Sequence, residues 1–153
     1  MMQQDRLSLK GLPRYERILY ATDGSPAARE AGRHAVFLAQ RAQAQLIVLY
    51  VAHDSITRRI SFVLRRALSE ERRLAKQAVD ELLELARASG VSALSAFESG
   101  HRSDAIGRAA TKFEADLIVV SSTGADDLQR ILGQPAPGSA PLWVARPVCV
   151  IMC

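Results

Sequence analysis

The sequence predicts an α/β domain: a doubly wound parallel sheet of five strands with helices on both faces. Two patterns point there. Short, nearly continuous apolar runs such as Leu46-Ile47-Val48-Leu49-Tyr50-Val51 read as strands buried on both faces. They alternate with longer stretches whose apolar residues recur at helical spacing, as at Ala31, Ala35, Leu38, Ala39 and Ala42. Strands that alternate with helices need crossover connections, and crossovers make a parallel sheet covered on both sides. The composition agrees: 153 residues, 48% hydrophobic and 24% charged, suit one domain with a full core.

Residues 1–14 are polar and irregular and read as a flexible N-terminal arm, leaving 15–153 as a single domain. Arg17 to Ala21 forms the first strand, ended by Asp23-Gly24-Ser25-Pro26. Ser25 caps the first helix with Pro26 at its first position, and the helix runs to Ala42. Leu46 to Val51 is the second strand. A connection from His53 to Leu68 follows, and Ser69-Glu70-Glu71 opens a long second helix that Ser89-Gly90 stops. Val91 to Glu98 is a weaker strand ended by Gly100. Ser103 caps a third helix, Asp104 to Phe113. Asp116 to Ser121 is the fourth strand, Asp127 to Leu132 a short helix, and Val148 to Met152 the last strand.

The formal charge of +4 is mild, and aromatics make up only 5%, so no nucleic-acid partner is expected. The two cysteines, Cys149 and Cys153, form no disulfide framework and no C-x-x-C, which points to a reducing compartment. Cys149 is expected to be a buried core thiol. The N-terminus carries no apolar signal region, and the longest apolar runs are too short to span a bilayer, so a cytoplasmic location is expected. An arginine-rich segment, residues 57–73, has amphipathic helical spacing. It reads as a helix packed on the sheet with its arginines in water, rather than as a membrane or acidic-partner surface.

In a doubly wound sheet, ligands bind outside the carboxyl ends of the strands where strand order reverses. Three segments should meet there: Ala21-Thr22-Asp23-Gly24-Ser25, Val51-Ala52-His53, and Ser121-Ser122-Thr123-Gly124. Around them the chain resembles the universal stress protein family. Ile18 to Ser25 is similar to that family's opening strand, and Gly100-His101-Arg102-Ser103-Asp104-Ala105-Ile106 to its glycine-to-helix turn. Asp116 to Gly124 resembles its fourth strand and glycine loop, and Pro147 to Ile151 its closing strand. The resemblance covers Arg17 to Met152. It implies a Rossmann-like sheet of order 3-2-1-4-5, a homodimer paired through the C-terminal strand, and a stress-response role without a defined reaction. It also implies an adenine-nucleotide site in some members, with ATP or AMP as ligand. On that resemblance, Asp23 and Val51 lie at the adenosine end and Ser121, Gly124, Gly133 and Gln134 at the phosphate end, with Ala21 and Thr22 as further candidate cofactor-binding residues beside Asp23.

The phosphate end departs from the family's pattern of glycine, two residues, glycine, nine residues, then glycine with Ser or Thr. Such glycines let backbone N–H groups approach phosphate oxygens, and the hydroxyl adds a donor. Here Ser121 stands at the first glycine and Gly124 matches the second. Only eight residues separate Gly124 from Gly133, and Gln134 replaces the hydroxyl residue. Asp126 and Asp127 add negative charge, which opposes an anionic ligand. Asp23 can also be a plain turn residue, and Gly124 a tight turn after a strand.

No other chemistry stands out. His34, His53 and His101 have no metal-ligand spacing, and there is no P-loop, G-x-G-x-x-G or G-x-S-x-G. The expected function is that of a regulatory binding protein of the stress response, not an enzyme, with a degraded nucleotide site and weak or absent ATP binding. An ATP- or AMP-binding member with slow hydrolysis is the alternative, and an interaction module with an empty pocket a third.

Overall fold

The computed structural model describes residues 11–52, 62–121 and 147–152. The chain order is β1 (Arg17–Thr22), α1 (Pro26–Ala42), β2 (Gln45–Ala52), α2 (Phe62–Ala88), β3 (Ala93–Ser99), α3 (Arg102–Lys112), β4 (Leu117–Ser121) and β5 (Val148–Ile151). All strands are parallel, in the order β3-β2-β1-β4-β5. The predicted doubly wound, five-stranded sheet of order 3-2-1-4-5 is therefore the observed one.

Two apolar layers flank the sheet. On one face Ile18, Tyr20, Leu46, Val48 and Val119 pack against Ala31, Ala35 and Ala39 of α1 and Val79, Leu82 and Ala86 of α2. On the other, Leu19, Ala21, Ile47, Leu49, Val51 and Val120 pack against Ala105, Ile106 and Ala109 of α3. The period-two alternation of β1, β2 and β4 feeds both layers, which explains why these strands read as unbroken apolar runs, whereas β3 has exposed residues at Ser95, Phe97 and Ser99.

Local chemistry sets the boundaries. The Ser25 hydroxyl accepts from the Ala28 N–H at 3.2 Å, and Pro26 opens α1, as its sequence predicts. Asp116 does not begin β4. Its carboxylate instead accepts from the N–H groups of Glu16 at 2.7 Å and Arg17 at 3.2 Å, fastening the start of β1.

Several expectations are corrected. α2 begins at Phe62, not Ser69, and runs 27 residues. Neither Gly nor Pro interrupts Phe62 to Ala88, and one serine costs a helix only a few tenths of a kcal/mol, about 0.5. β3 begins at Ala93. Val91 instead closes the end of α2, its N–H donating to the Ala86 carbonyl at 2.8 Å after Gly90 turns with φ +74°. The cap of α3 is His101 rather than Ser103, and it makes no side-chain capping bond. Gly100, at φ +108°, turns the chain sharply enough for the helix to start at Arg102. Ala42 is exposed, and Cys149 is half-buried rather than buried, because β5 is an edge strand. The expected short helix at Asp127 to Leu132 and the N-terminal arm up to residue 10 lie outside the described residues.

Candidate functional site

The carboxyl ends of β1 and β2 face a cavity of about 300 Å³. Asp23, Gly24 and Ser25 form one wall and Tyr50, Val51 and Ala52 another. Glu71, Arg72, Leu74 and Ala75 of α2 close it from the side. The walls are thus apolar at Val51, Ala52, Leu74 and Ala75 and charged at Asp23, Glu71 and Arg72.

The turn after β1 is held by its own side chains. The Thr22 hydroxyl accepts from the Gly24 N–H at 3.0 Å, and Asp23 Oδ1 accepts from the Ser25 N–H at 2.9 Å. These short loops are the local bonding that Thr and Asp offer wherever the chain reverses. Asp23 Oδ2 faces the other way, 3.9 Å from Nη1 of Arg102, the first residue of α3. Asp23 is one-third exposed, while Arg102 is 7% exposed. A guanidinium that deeply placed needs acceptors around it.

Tyr50 is half-buried, and its ring sits 5.7 Å from that of Phe97 on β3, tilted by 42°. Burial holds its phenol above the ordinary tyrosine range, and the charges of Glu71 and Asp23 push the same way against Arg72.

The structure places the sequence-predicted residues unequally. Asp23 and Val51 meet in the cavity. Ala21 is fully buried in the layer beneath α3, beside Val51 and Val120. Thr22 is buried and borders a second cleft of about 330 Å³ between α1 and α2, lined by Tyr20, Arg29, Arg33 and Leu82 among others. That cleft lies over the sheet face and does not touch Asp23 or Val51. Ser121 is buried at the end of β4, opposite Ile151 of β5, and does not line the Asp23 cavity. Gly124, Gly133 and Gln134 lie outside the described residues, as do His53, Asp126 and Asp127. His34 is exposed in mid-α1, 4.0 Å from Glu30, and among the described residues no cluster of His, Cys, Asp or Glu could hold a metal ion.

Two features escaped the sequence. Arg102 stood in the glycine-to-helix turn, yet its burial and its approach to Asp23 depend on the fold. The α2 wall was legible in principle. The buried stripe Ala75, Ala78, Val79, Leu82, Leu83 and Ala86 has helical spacing, and extending it backwards by one turn reaches Glu71 and Arg72.

The family model described as the Universal stress protein family matches residues 14–136. The chain belongs to the universal stress protein family. A universal stress protein of Methanocaldococcus jannaschii is 31% identical over 122 residues, covering 77% of this chain and 71% of that one. A crystal structure of a universal stress protein family member from Burkholderia pseudomallei superposes with a TM-score of 0.68 at 25% identity, covering 90% of this chain and 96% of that one. The crystal structure of a universal stress protein in complex with cAMP superposes with a TM-score of 0.62 at 25% identity, covering 91% and 98%. Among the described residues, no helix is long and apolar enough to cross a membrane.

Proposed function

We propose that this universal stress protein acts by binding rather than by turnover. In this reading it is a cytoplasmic homodimer with an adenine-nucleotide site whose adenosine end is intact and whose phosphate end is degraded. The observation that carries the reading is the meeting of Asp23 and Val51 in one cavity at the ends of β1 and β2. An adenine ring suits the apolar wall of Val51, Ala52 and Leu74, and ribose hydroxyls suit a carboxylate such as Asp23. The cAMP complex of a relative 25% identical supports an adenine nucleotide as the ligand class.

Ser121 in place of glycine, the spacing of eight residues between Gly124 and Gly133, and Gln134 in place of a hydroxyl residue each weaken the phosphate cradle. A lost hydrogen bond to a charged group costs about 1.5 to 3 kcal/mol, and about 1.4 kcal/mol is tenfold in affinity. Two such losses move a micromolar site toward millimolar. Phosphoryl transfer needs firmly held phosphates and metal, so the same losses argue against hydrolysis. The homodimer reading rests on β5, an apolar edge strand whose four residues are all half-buried.

Calorimetry with adenosine, AMP and ATP tests the reading. Comparable affinities for the three support it, and low-micromolar ATP with much weaker adenosine overturns it. In a variant carrying Ser121→Gly, Gln134→Ser and one residue inserted before Gly133, ATP affinity should rise while adenosine affinity stays put.

A further inference from the structure

A phosphate-bearing ligand beside Asp23 raises a charge problem. Two anions confined to one site repel each other, more strongly as water is excluded. Arg102, which is not among the residues lining the cavity, offers the counter-charge. It opens α3, and its side chain is 8% exposed, with Nη1 3.9 Å from Asp23 Oδ2. The other carboxylate oxygen, Oδ1, is already held by the Ser25 N–H at 2.9 Å. Asp23 is therefore gripped on one oxygen by its own turn and faced on the other by a buried cation from across the sheet edge. Arg102 does not line the cavity, so it acts on a ligand through Asp23.

We propose that Arg102 is a positioning residue of the nucleotide site. It fixes the Asp23 carboxylate and cancels its charge, so that Asp23 accepts ribose hydroxyls while a phosphate occupies the same site. The inference rests on the adenine-nucleotide reading above and concerns how Asp23 tolerates a phosphate on that ligand, so that a nucleoside monophosphate binds as well as the free nucleoside.

The test is calorimetry of AMP and adenosine on the full chain and four variants: Arg102→Met, Arg102→Lys, Asp23→Asn, and Asp23→Asn with Arg102→Met. Arg102→Met should weaken AMP about tenfold and adenosine by no more than about threefold, because only AMP meets the uncompensated carboxylate. Arg102→Lys keeps the charge and should restore the AMP-to-adenosine ratio. In the Asp23→Asn background, Arg102→Met should change AMP affinity less than about threefold. If Arg102→Met fails to fold alone, Arg102→Gln carries the same comparison. Equal losses for both ligands mean that Arg102 serves only the fold, and an undiminished AMP loss in the Asp23→Asn background means that it acts on phosphate directly. Either result overturns the proposal. Failure of the unaltered chain to bind adenosine or AMP is a separate result, visible before any variant is made. It removes the adenine-nucleotide reading and this inference with it.

Discussion

Gly24 lies so close under Ala75 that a Cβ on Gly24 would come within 2.9 Å of both the Cα and the Cβ of Ala75. The glycine is at φ +78°, where other residues are strained, so it is needed twice over. The pair of small residues lets α2 press onto the turn after β1. That contact makes α2 the side wall of the Asp23 cavity.

Gly24→Ala should therefore cost more than left-handed strain alone. Strain contributes about 1 to 2 kcal/mol and overpacking about 1 to 3. Gly90 is the control, at φ +74° with nothing within 4 Å of its would-be Cβ. Urea unfolding should show a total loss of roughly 2 to 5 kcal/mol for Gly24→Ala and about 1 to 2 kcal/mol for Gly90→Ala. Equal losses would mean that α2 does not press on the turn.

Asp116→Ala should destabilise the fold without touching the cavity. Its carboxylate is the acceptor for the Glu16 and Arg17 N–H groups at the start of β1. Losing that charged acceptor costs about 1 to 3 kcal/mol. The urea midpoint should fall with the slope unchanged, and ligand affinity should not move. An unshifted midpoint would show that the fastening of β1 lies elsewhere.

The central strands β1, β2 and β4 were legible because each feeds two apolar layers. Ile18 and Leu19, like Val119 and Val120, are buried on opposite faces, so the runs are unbroken and unmistakable. Ser25-Pro26 marked the start of α1 for an equally local reason, a hydroxyl bonding three residues ahead. The start of α2 was misread because Ser69-Glu70-Glu71 carries a capping composition inside a helix that nothing interrupts. Asp23 and Val51 were found as ends of adjacent strands. Arg102 was not, because its partner lies far along the chain and no local spacing encodes that approach. The cavity's charge balance therefore becomes visible only once α3 and β1 are brought together.

Tyr50 predicts a pH dependence at the alkaline end. Its folded-state pKa is raised above the unfolded value, chiefly by burial and then by Glu71 and Asp23. The folded state thus holds the phenolic proton longer than the unfolded state does. Its contribution is fully present below the unfolded value of about 10 and is lost as pH rises through the folded one. Stability should decline above about pH 10, and Tyr50→Phe should flatten that decline. An identical alkaline decline in Tyr50→Phe would assign the effect to other groups.

Assembly is tested at β5. Val150 is partly buried against the layer beneath α3 on this edge strand. Pairing of two β5 edges across a two-fold axis would cover them. Sedimentation of the unaltered protein should show a dimer, and Val150→Lys should yield monomers or aggregates. An unaltered chain that stays monomeric at high micromolar concentration would contradict the dimer.

If the cavity beside Asp23 and Val51 binds the adenosine moiety and the phosphate end adds little, the length of the phosphate chain should barely change affinity. Titration calorimetry of the unaltered protein with adenosine, AMP and ATP under one buffer measures this directly. Measurable binding of all three is expected, with affinities within about tenfold of one another, a spread of about 1.4 kcal/mol. Low-micromolar ATP binding with adenosine undetectable, or no binding of any of the three, would contradict it.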